Sequence, residues 1–316
     1  MSKTVLLCNP MGMDVSQLMN SLLRGTILNP DDTLININYT NEPGAANITD
    51  GVDKLNTQIN NTRGEKLVFG YSMGAQVVTR WIREHNTDSD VPAADMSFLM
   101  IGNAERKYGG MVYGLNGFSS IADTAGLPNT KVRWSVVDFA RQYDGWADFP
   151  NAPKIRSAME DLSAIGSGST AYTDAMRDVS RAMTDQASWT ALMNTLAGLT
   201  TVHALYIDVA VDDPQNVSYI DPAQPNVRYV WSPTYPVPML GTGSTFPQED
   251  RRFRTLIESC YSRPVQIPLP DYPHVSWMSV SVPWSKPAVT GWWAEDYRTY
   301  PGPTVYPSTT LYTRRS

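Results

Sequence analysis

One pentapeptide, Gly70-Tyr71-Ser72-Met73-Gly74, has residue types and a spacing that could support covalent chemistry. Its two glycines permit a tight turn around the serine, because glycine adopts backbone conformations that a side chain obstructs. The strand-like run Lys66–Phe69 precedes the motif, and Ala75–His85 follows it with apolar residues at helical spacing. Between a strand and a helix, Ser72 is predicted to be a nucleophile. The Met73 N–H, at the helix start, is predicted to face the oxygen that gains charge.

A serine hydroxyl needs a base, and the chain contains only three histidines. His85 ends the helix that follows Ser72, where a cation at a helix C-terminus is the simpler interpretation. His203 precedes an apolar run and is the favoured base, although a histidine satisfied near the core is an alternative. His274 lies in a proline-rich stretch and is the second candidate for the base.

Two carboxylates, Asp144 and Asp148, follow the predicted strand Val132–Phe139. Open α/β sheets form their sites at the carboxyl ends of strands. In proteins with this serine motif, the acid lies between the serine and the histidine in chain order. Both aspartates meet these conditions, so the residues leave the choice of acid open.

A second donor for the developing oxyanion is expected in the loop after the first predicted strand. Asn9-Pro10-Met11-Gly12 follows the apolar run Thr4–Cys8 and could provide the N–H of Met11 or Gly12. An ordinary β-turn would use the same residues, so the function of this loop stays open.

Predicted strands and helices alternate along the first half of the chain, which favours an α/β domain with a mainly parallel sheet. The predicted strands are Thr4–Cys8, Thr33–Tyr39, Lys66–Gly70, Ser97–Gly102 and Val132–Phe139. The predicted helices are Val15–Leu23, Asp50–Ile59 and Gly74–His85. Pro153–Gly198 then interrupts the alternation with helix-forming residues and is interpreted as a helical, lid-like insertion. Val202–Val211 is apolar and strand-like.

The composition excludes several classes of protein. Of 316 residues, 42% are hydrophobic and 18% are charged, so the chain can bury a core. A net charge of −6 without a basic stripe argues against nucleic acid as a partner. No metal-binding motif and no transmembrane stretch is recognised, so we expect no metal, no other cofactor and no membrane span. Cys8 and Cys260 lie far apart, and a buried free thiol is the favoured interpretation of Cys8.

Several segments together resemble the PE-PPE domain family of mycobacterial serine hydrolases, relatives of cutinases in the α/β-hydrolase superfamily. The resemblance covers roughly residues 4–265, and its most specific part is Tyr143-Asp144-Gly145-Trp146-Ala147-Asp148-Phe149-Pro150. The other matching segments are Gly70-Tyr71-Ser72-Met73-Gly74-Ala75, Ile101-Gly102-Asn103-Ala104-Glu105-Arg106 with Gly109-Gly110, Asn194-Thr195-Leu196-Ala197-Gly198 with Val202-His203, Tyr235–Leu240, and Leu256-Ile257-Glu258 with Tyr261-Ser262-Arg263. Met73 stands where the family often has glutamine, but only its backbone N–H is needed.

The resemblance implies esterase activity on acyl esters or lipids, with Ser72, His203 and Asp144 as the triad. Asp144 is preferred because it directly ends the strand, and Asp148 is the alternative acid. An acyltransferase that uses the same triad is an alternative activity. The implied domains are residues 1–265, a hydrolase domain with the insertion at about 151–200, and residues 266–316, an extended arm.

That arm, from Gln266 onward, contains eight prolines and nine Trp or Tyr residues in 51 positions. Such a composition argues against a regular helix or a central strand. It could pack on the parent domain, form a homo-oligomer or dock onto virion tail proteins, so a structural or adhesion protein is an alternative function. The run Val5–Cys8 is too short for a signal peptide. Because the resembled family is mycobacterial and no signal peptide is recognised, we expect a mycobacteriophage virion as the location, with esters of mycobacterial envelope lipids as substrates, and otherwise the cytoplasm.

Overall fold

The computed structural model describes residues 2–88, 93–165, 185–240, 247–269, 277–281 and 299–303. Within them, seven strands form one sheet in the order β2-β1-β3-β4-β5-β7-β6. These strands are β1 (Thr4–Cys8), β2 (Thr33–Asn36), β3 (Lys66–Tyr71), β4 (Met96–Ile101), β5 (Ser135–Arg141), β6 (Val217–Ile220) and β7 (Val227–Ser232). All neighbouring strands pair in parallel except β6, which pairs antiparallel with β7. The turns after β1, β3, β4 and β5 therefore meet at one edge of the sheet.

Five α-helices accompany the sheet in the described residues: α1 (Ala45–Asn61), α2 (Met73–His85), α3 (Pro153–Ile165), α4 (Gln186–Thr201) and α5 (Pro247–Glu258). α1 and α2 bury apolar residues such as Val52 and Trp81 against one sheet face, with Leu6 and Cys8 of β1. Val5 and Leu7 point to the other face, into a separate core cluster. Successive residues of a strand thus pack into the cores on opposite faces of the sheet, which explains the nearly continuous apolar sequence of the central strands. The fold is an α/β-hydrolase-type, mainly parallel sheet flanked by helices, as the sequence predicts.

The helix predicted at Val15–Leu23 is wrong. Two short 3₁₀ turns, Ser16–Leu18 and Leu22–Gly25, occupy this region. Leu23 and Arg24 have φ of 50° and 58°, outside the helical range. Their N–H groups donate to the carbonyls of Tyr206 and Ile207, so bonds to a distant loop replace the bonds that a helix would make.

The strand predicted at Val202–Val211 is also wrong, because this stretch forms turns and irregular backbone. The apolar side chains of this stretch fill a core instead of belonging to a strand. Tyr206 and Val209 are buried in the core cluster of the second sheet face. Burial without strand pairing therefore produced the strand-like pattern. β6 and β7 were not predicted.

The predicted helical insertion consists of α3 and α4 in the described residues, and residues 166–184 lie outside them. α3 and α4 share a small apolar cluster with Phe149 and Cys260. Cys8 and Cys260 are both buried free thiols. None of the described helices is both long and apolar enough to cross a membrane.

Of the predicted arm beyond Leu269, the structure describes two short strands, β8 (Trp277–Ser281) and β9 (Thr299–Pro303), which pair antiparallel. A two-stranded ribbon has only edge strands, where proline is tolerated. The rest of the arm lies outside the described residues, and the domain boundary after residue 265 stays a prediction.

Candidate active site

Ser72 lies in a sharp turn between β3 and α2, as the pentapeptide predicts. Its φ of 54° and ψ of −116° are costly for a residue with a side chain. The two glycines of the motif make the turn sterically feasible. A Cβ on Gly74 would lie 2.0 Å from the Cys8 carbonyl oxygen, and one on Gly70 would lie 2.7 Å from the Gly74 carbonyl oxygen. The turn thus holds Ser72 at the carboxyl edge of the sheet, with its side chain partly exposed.

His203 is the histidine that reaches Ser72. Its Nε2 lies 2.9 Å from Ser72 Oγ, and its side chain is 13% exposed. His203 follows the end of α4, and its N–H donates to the Gly198 carbonyl. Its own carbonyl accepts a 2.5 Å hydrogen bond from the Tyr71 hydroxyl. The backbone of His203 is therefore tied both to α4 and to the end of β3.

Gly102 provides the space for the imidazole ring. This residue, just after β4, has a φ of +61°, and a Cβ there would lie 2.8 Å from His203 Cε1. A side chain at this position would be strained and would also collide with the ring. The glycine after β4 therefore helps to define where His203 can lie.

Asp144 is the carboxylate next to His203. Its Oδ1 and Oδ2 lie 2.9 Å and 3.0 Å from His203 Nδ1, and its side chain is fully buried. The Trp146 N–H and the Tyr206 hydroxyl also donate to this carboxylate, at 2.9 Å and 2.6 Å. Burial alone would raise the pKa of Asp144, but the charge of His203 and these hydrogen bonds lower it below its ordinary value. Asp144 therefore stays ionised beside the imidazole.

The loop after β5 holds Asp144 against α4 through two close glycine contacts. A Cβ on Gly198 of α4 would lie 2.0 Å from the Tyr143 carbonyl oxygen. A Cβ on Gly145 would lie 2.6 Å from the Thr195 carbonyl oxygen. The helix backbone can therefore approach the loop closely, which places His203 beside Asp144.

Asp148, the alternative acid, pairs with Arg263. The Arg263 guanidinium donates Nε to Oδ1 at 2.8 Å and Nη2 to Oδ2 at 2.6 Å. The Tyr143 N–H and the Trp231 indole N–H complete the partners of Asp148. Burial would lower the pKa of Arg263, but the charge of Asp148 and its hydrogen bonds raise it. Asp148 thus closes the loop that carries Asp144, and the geometry favours Asp144 as the partner of His203.

The predicted oxyanion donors fall into two groups. The Met73 N–H lies at the start of α2, and no described residue accepts its hydrogen bond. The Gly12 N–H donates to the Asn41 carbonyl at 2.8 Å, so Gly12 is not available as a donor in this conformation. Met11 remains the candidate from this loop, whose Asn9 carbonyl lies against Gly74.

The other described histidine, His85, does not join this site. His85 ends α2, stacks on Trp81 and contacts Asp88, and His274 lies outside the described residues. Among the described residues, no three His, Cys, Asp or Glu side chains form a group that could hold a metal ion.

Three residues of the site were not assigned a role from the sequence: Tyr206, Gly102 and Arg263. Gly102 and Arg263 lie in segments that carry the family resemblance, so the resemblance could have indicated them. Tyr206 lies in an apolar run, and no spacing identifies it.

Comparison with solved structures returns proteins of low similarity. A cutinase-like protein from Cryptococcus sp. is 20% identical, with 56% of this chain and 95% of that chain covered and a TM-score of 0.33. The catalytic core of an acetyl xylan esterase from Trichoderma reesei is 14% identical, with 57% and 98% covered and a TM-score of 0.34. No curated protein matches the sequence.

The sequence model of the PE-PPE domain family matches residues 29–188 of this chain. This span includes Ser72 and Asp144, whereas His203 lies beyond its end. This match covers just over half of the 316 residues, so the chain belongs to the PE-PPE domain family.

Proposed function

We propose that this chain is a serine hydrolase that cleaves carboxylic esters of acyl or lipid substrates through an acyl-enzyme. One observation carries the proposal. Ser72 lies in a strained turn, and a continuous line of hydrogen bonds joins its Oγ to His203 and then to the buried Asp144. This arrangement has the geometry of nucleophile, base and orienting acid.

In the proposed reaction, Ser72 Oγ attacks the ester carbonyl carbon while His203 Nε2 accepts the hydroxyl proton. Asp144 stabilises the imidazolium that forms and holds Nδ1 as the protonated nitrogen. The Met73 N–H, and the Met11 N–H as second donor, stabilise the oxyanion. Collapse breaks the ester C–O bond, and His203 returns the proton to the leaving alcohol. Water then attacks the acyl-Ser72 ester by the same steps.

The composition of α4, the helix that precedes His203, supports the proposal that the substrate has an apolar acyl group. α4 contains no Asp, Glu, Lys or Arg. Trp189, Met193 and Leu196 on this helix are 46%, 38% and 47% exposed. Met159 of α3 and Leu192 of α4 instead pack against the apolar cluster that the two helices share. The side chains of Leu162, Met176 and Met183 lie outside the described residues.

The direct test is hydrolysis of p-nitrophenyl esters of graded chain length by wild type and Ser72→Ala. We expect loss of nearly all activity in Ser72→Ala, with an unchanged far-UV spectrum. Ser119→Ala is a matched control, because Ser119 is exposed in the loop between β4 and β5, and it should keep wild-type rates. Mass spectrometry after treatment with a fluorophosphonate should find the adduct on the Ser72 peptide. Equal rates for wild type and Ser72→Ala would overturn the proposal.

An acyltransferase would use the same three side chains and differ only in the acceptor. Product analysis with water and with an added alcohol distinguishes the two activities. The virion location and the docking function of residues 266–316 are proposals that rest on the sequence alone. Deletion of residues 266–316, followed by measurement of assembly and melting temperature, tests that function.

A further inference from the structure

The carboxylate of Asp144 has a side-chain partner besides His203. The Tyr206 hydroxyl donates to Asp144 Oδ2 at 2.6 Å, a short distance typical of a hydrogen bond to an ionised acceptor. Tyr206 lies three positions after His203 and is fully buried. One short stretch of chain therefore places both a base and a phenol on the same carboxylate.

The direction of the phenol proton is determined by a second contact. The backbone N–H of Arg141 donates to the Tyr206 hydroxyl oxygen at 3.1 Å. With that oxygen already accepting, the single phenolic proton is directed to Asp144. Burial and the nearby charge of Asp144 raise the pKa of Tyr206 well above its ordinary value, so the phenol is protonated and remains a donor at neutral pH.

The position of the Tyr206 ring is rigidly defined. The Arg141 guanidinium donates to the Leu205 carbonyl and to Asp208 Oδ1, both at 2.7 Å, and so holds the chain on both sides of Tyr206. The ring packs edge-on against Tyr71 and Phe139, with centroids 5.7 Å and 5.9 Å apart. The same end of β5 thus supplies the donor to Tyr206 and anchors its loop.

We propose that Tyr206 is a positioning residue of the catalytic site, which orients the Asp144 carboxylate and moderates its basicity toward His203. The proposal rests on the proposed function, since it assigns Tyr206 a part in that reaction. The phenol restrains rotation of the carboxylate, so that it stays aligned with Nδ1. It also withdraws charge from the carboxylate, which limits how far Asp144 favours the imidazolium over the neutral imidazole.

Tyr206→Phe tests this inference, because the substitution keeps the ring and removes only the hydroxyl. A carboxylate without the phenol carries more charge toward His203, which favours the imidazolium. The acid limb of the pH profile of kcat/KM should therefore move to higher pH, by roughly half a unit or more. The value of kcat at its optimum should fall about tenfold, with KM nearly unchanged, since alignment rather than binding is lost.

Tyr108→Phe is the matched control. It also removes a phenol hydroxyl that donates to a carboxylate, Asp221 Oδ2 at 3.0 Å, but that carboxylate is not the partner of His203. Its acid limb should stay at the wild-type pH. Rates are normalised to active sites titrated with a fluorophosphonate, so that a loss of folded protein does not imitate a catalytic effect.

A second variant replaces Tyr206 with a fluorinated tyrosine, and the same pH profile of kcat/KM is measured. Its more acidic phenol is a stronger donor and should move the acid limb to lower pH, opposite to Tyr206→Phe. An unmoved acid limb in both Tyr206 variants, or equal shifts in Tyr206→Phe and Tyr108→Phe, would overturn the inference. Failure of the proposed function would be seen separately, as full activity in Ser72→Ala.

Discussion

The proposed nucleophile and the proposed base–acid pair are built in different ways. Ser72 owes its position to one continuous stretch, in which β3, the turn and α2 follow each other directly. His203 and Asp144 are 59 positions apart in the chain, and His203 and Ser72 are 131 apart. One half of the site is therefore local, and the other half depends on the packing of distant segments.

The long-range half needs additional contacts to be stable. The loop that carries Asp144 is closed by Asp148, whose partner Arg263 lies 115 positions away. α4 contacts this loop through Gly198, and Tyr71 holds the carbonyl of His203. Substitutions in the turn that carries Ser72 should therefore change the rate of the reaction directly. Substitutions at Asp144 should lower the reaction rate, whereas substitutions at Asp148 should lower the stability of the fold.

The largest expected effect is on turnover, in Asp144→Asn. A neutral amide cannot stabilise the imidazolium and does not enforce the protonated Nδ1, so kcat should fall about 10⁴-fold. Steady-state kinetics on a p-nitrophenyl ester measures this. Asp148→Asn is the matched control with the same chemical change four residues later, and its folded fraction should lose much less activity. The opposite ranking would show that Asp148 is the acid.

The next effect is on stability, in Asp148→Asn. Removing one charge of a buried ion pair leaves the Arg263 guanidinium without its bidentate partner, which should cost about 3 kcal/mol of unfolding free energy. Urea denaturation measures this loss. A double variant with Arg263→Met should recover part of it, because the buried cation is removed as well. Strictly additive losses would show that the two side chains are not coupled in solution.

The smallest of the three effects is the displacement of His203 by Gly102→Ala. The new methyl group would contact the ring, and a displacement of about 1 Å should lower kcat roughly 100-fold. Gly64→Ala is the control for backbone strain, since Gly64 has a φ of +77° and nothing lies within 4 Å of its added Cβ. Similar kinetics in both variants would mean that the site tolerates a side chain at position 102.

Much of the α/β core could be predicted because its signals are local. The apolar runs of β1, β3, β4 and β5 and the helical spacing of α2 are close to the observed elements. The prediction failed where distant contacts decide the conformation. Leu23 bonds to the Tyr206 carbonyl instead of continuing a helix, and the residues around Tyr206 are apolar because they fill a core rather than a strand.

For the candidate site, the sequence by itself singled out the proposed nucleophile, Ser72. Glycines on both sides of a serine, after a strand and before a helix, have few other uses, and the physical cause lies within five residues. The sequence also narrowed the acid to Asp144 or Asp148 and favoured His203 as the base.

Only the tertiary structure separated the two aspartates, because they share a loop, a residue type and complete burial. Their difference lies in what faces them: His203 and Tyr206 on one side, Arg263 on the other. Those partners come from the loop after α4 and from the segment after α5. A side chain's charge and role depend on neighbours that the order of residues along the chain does not reveal.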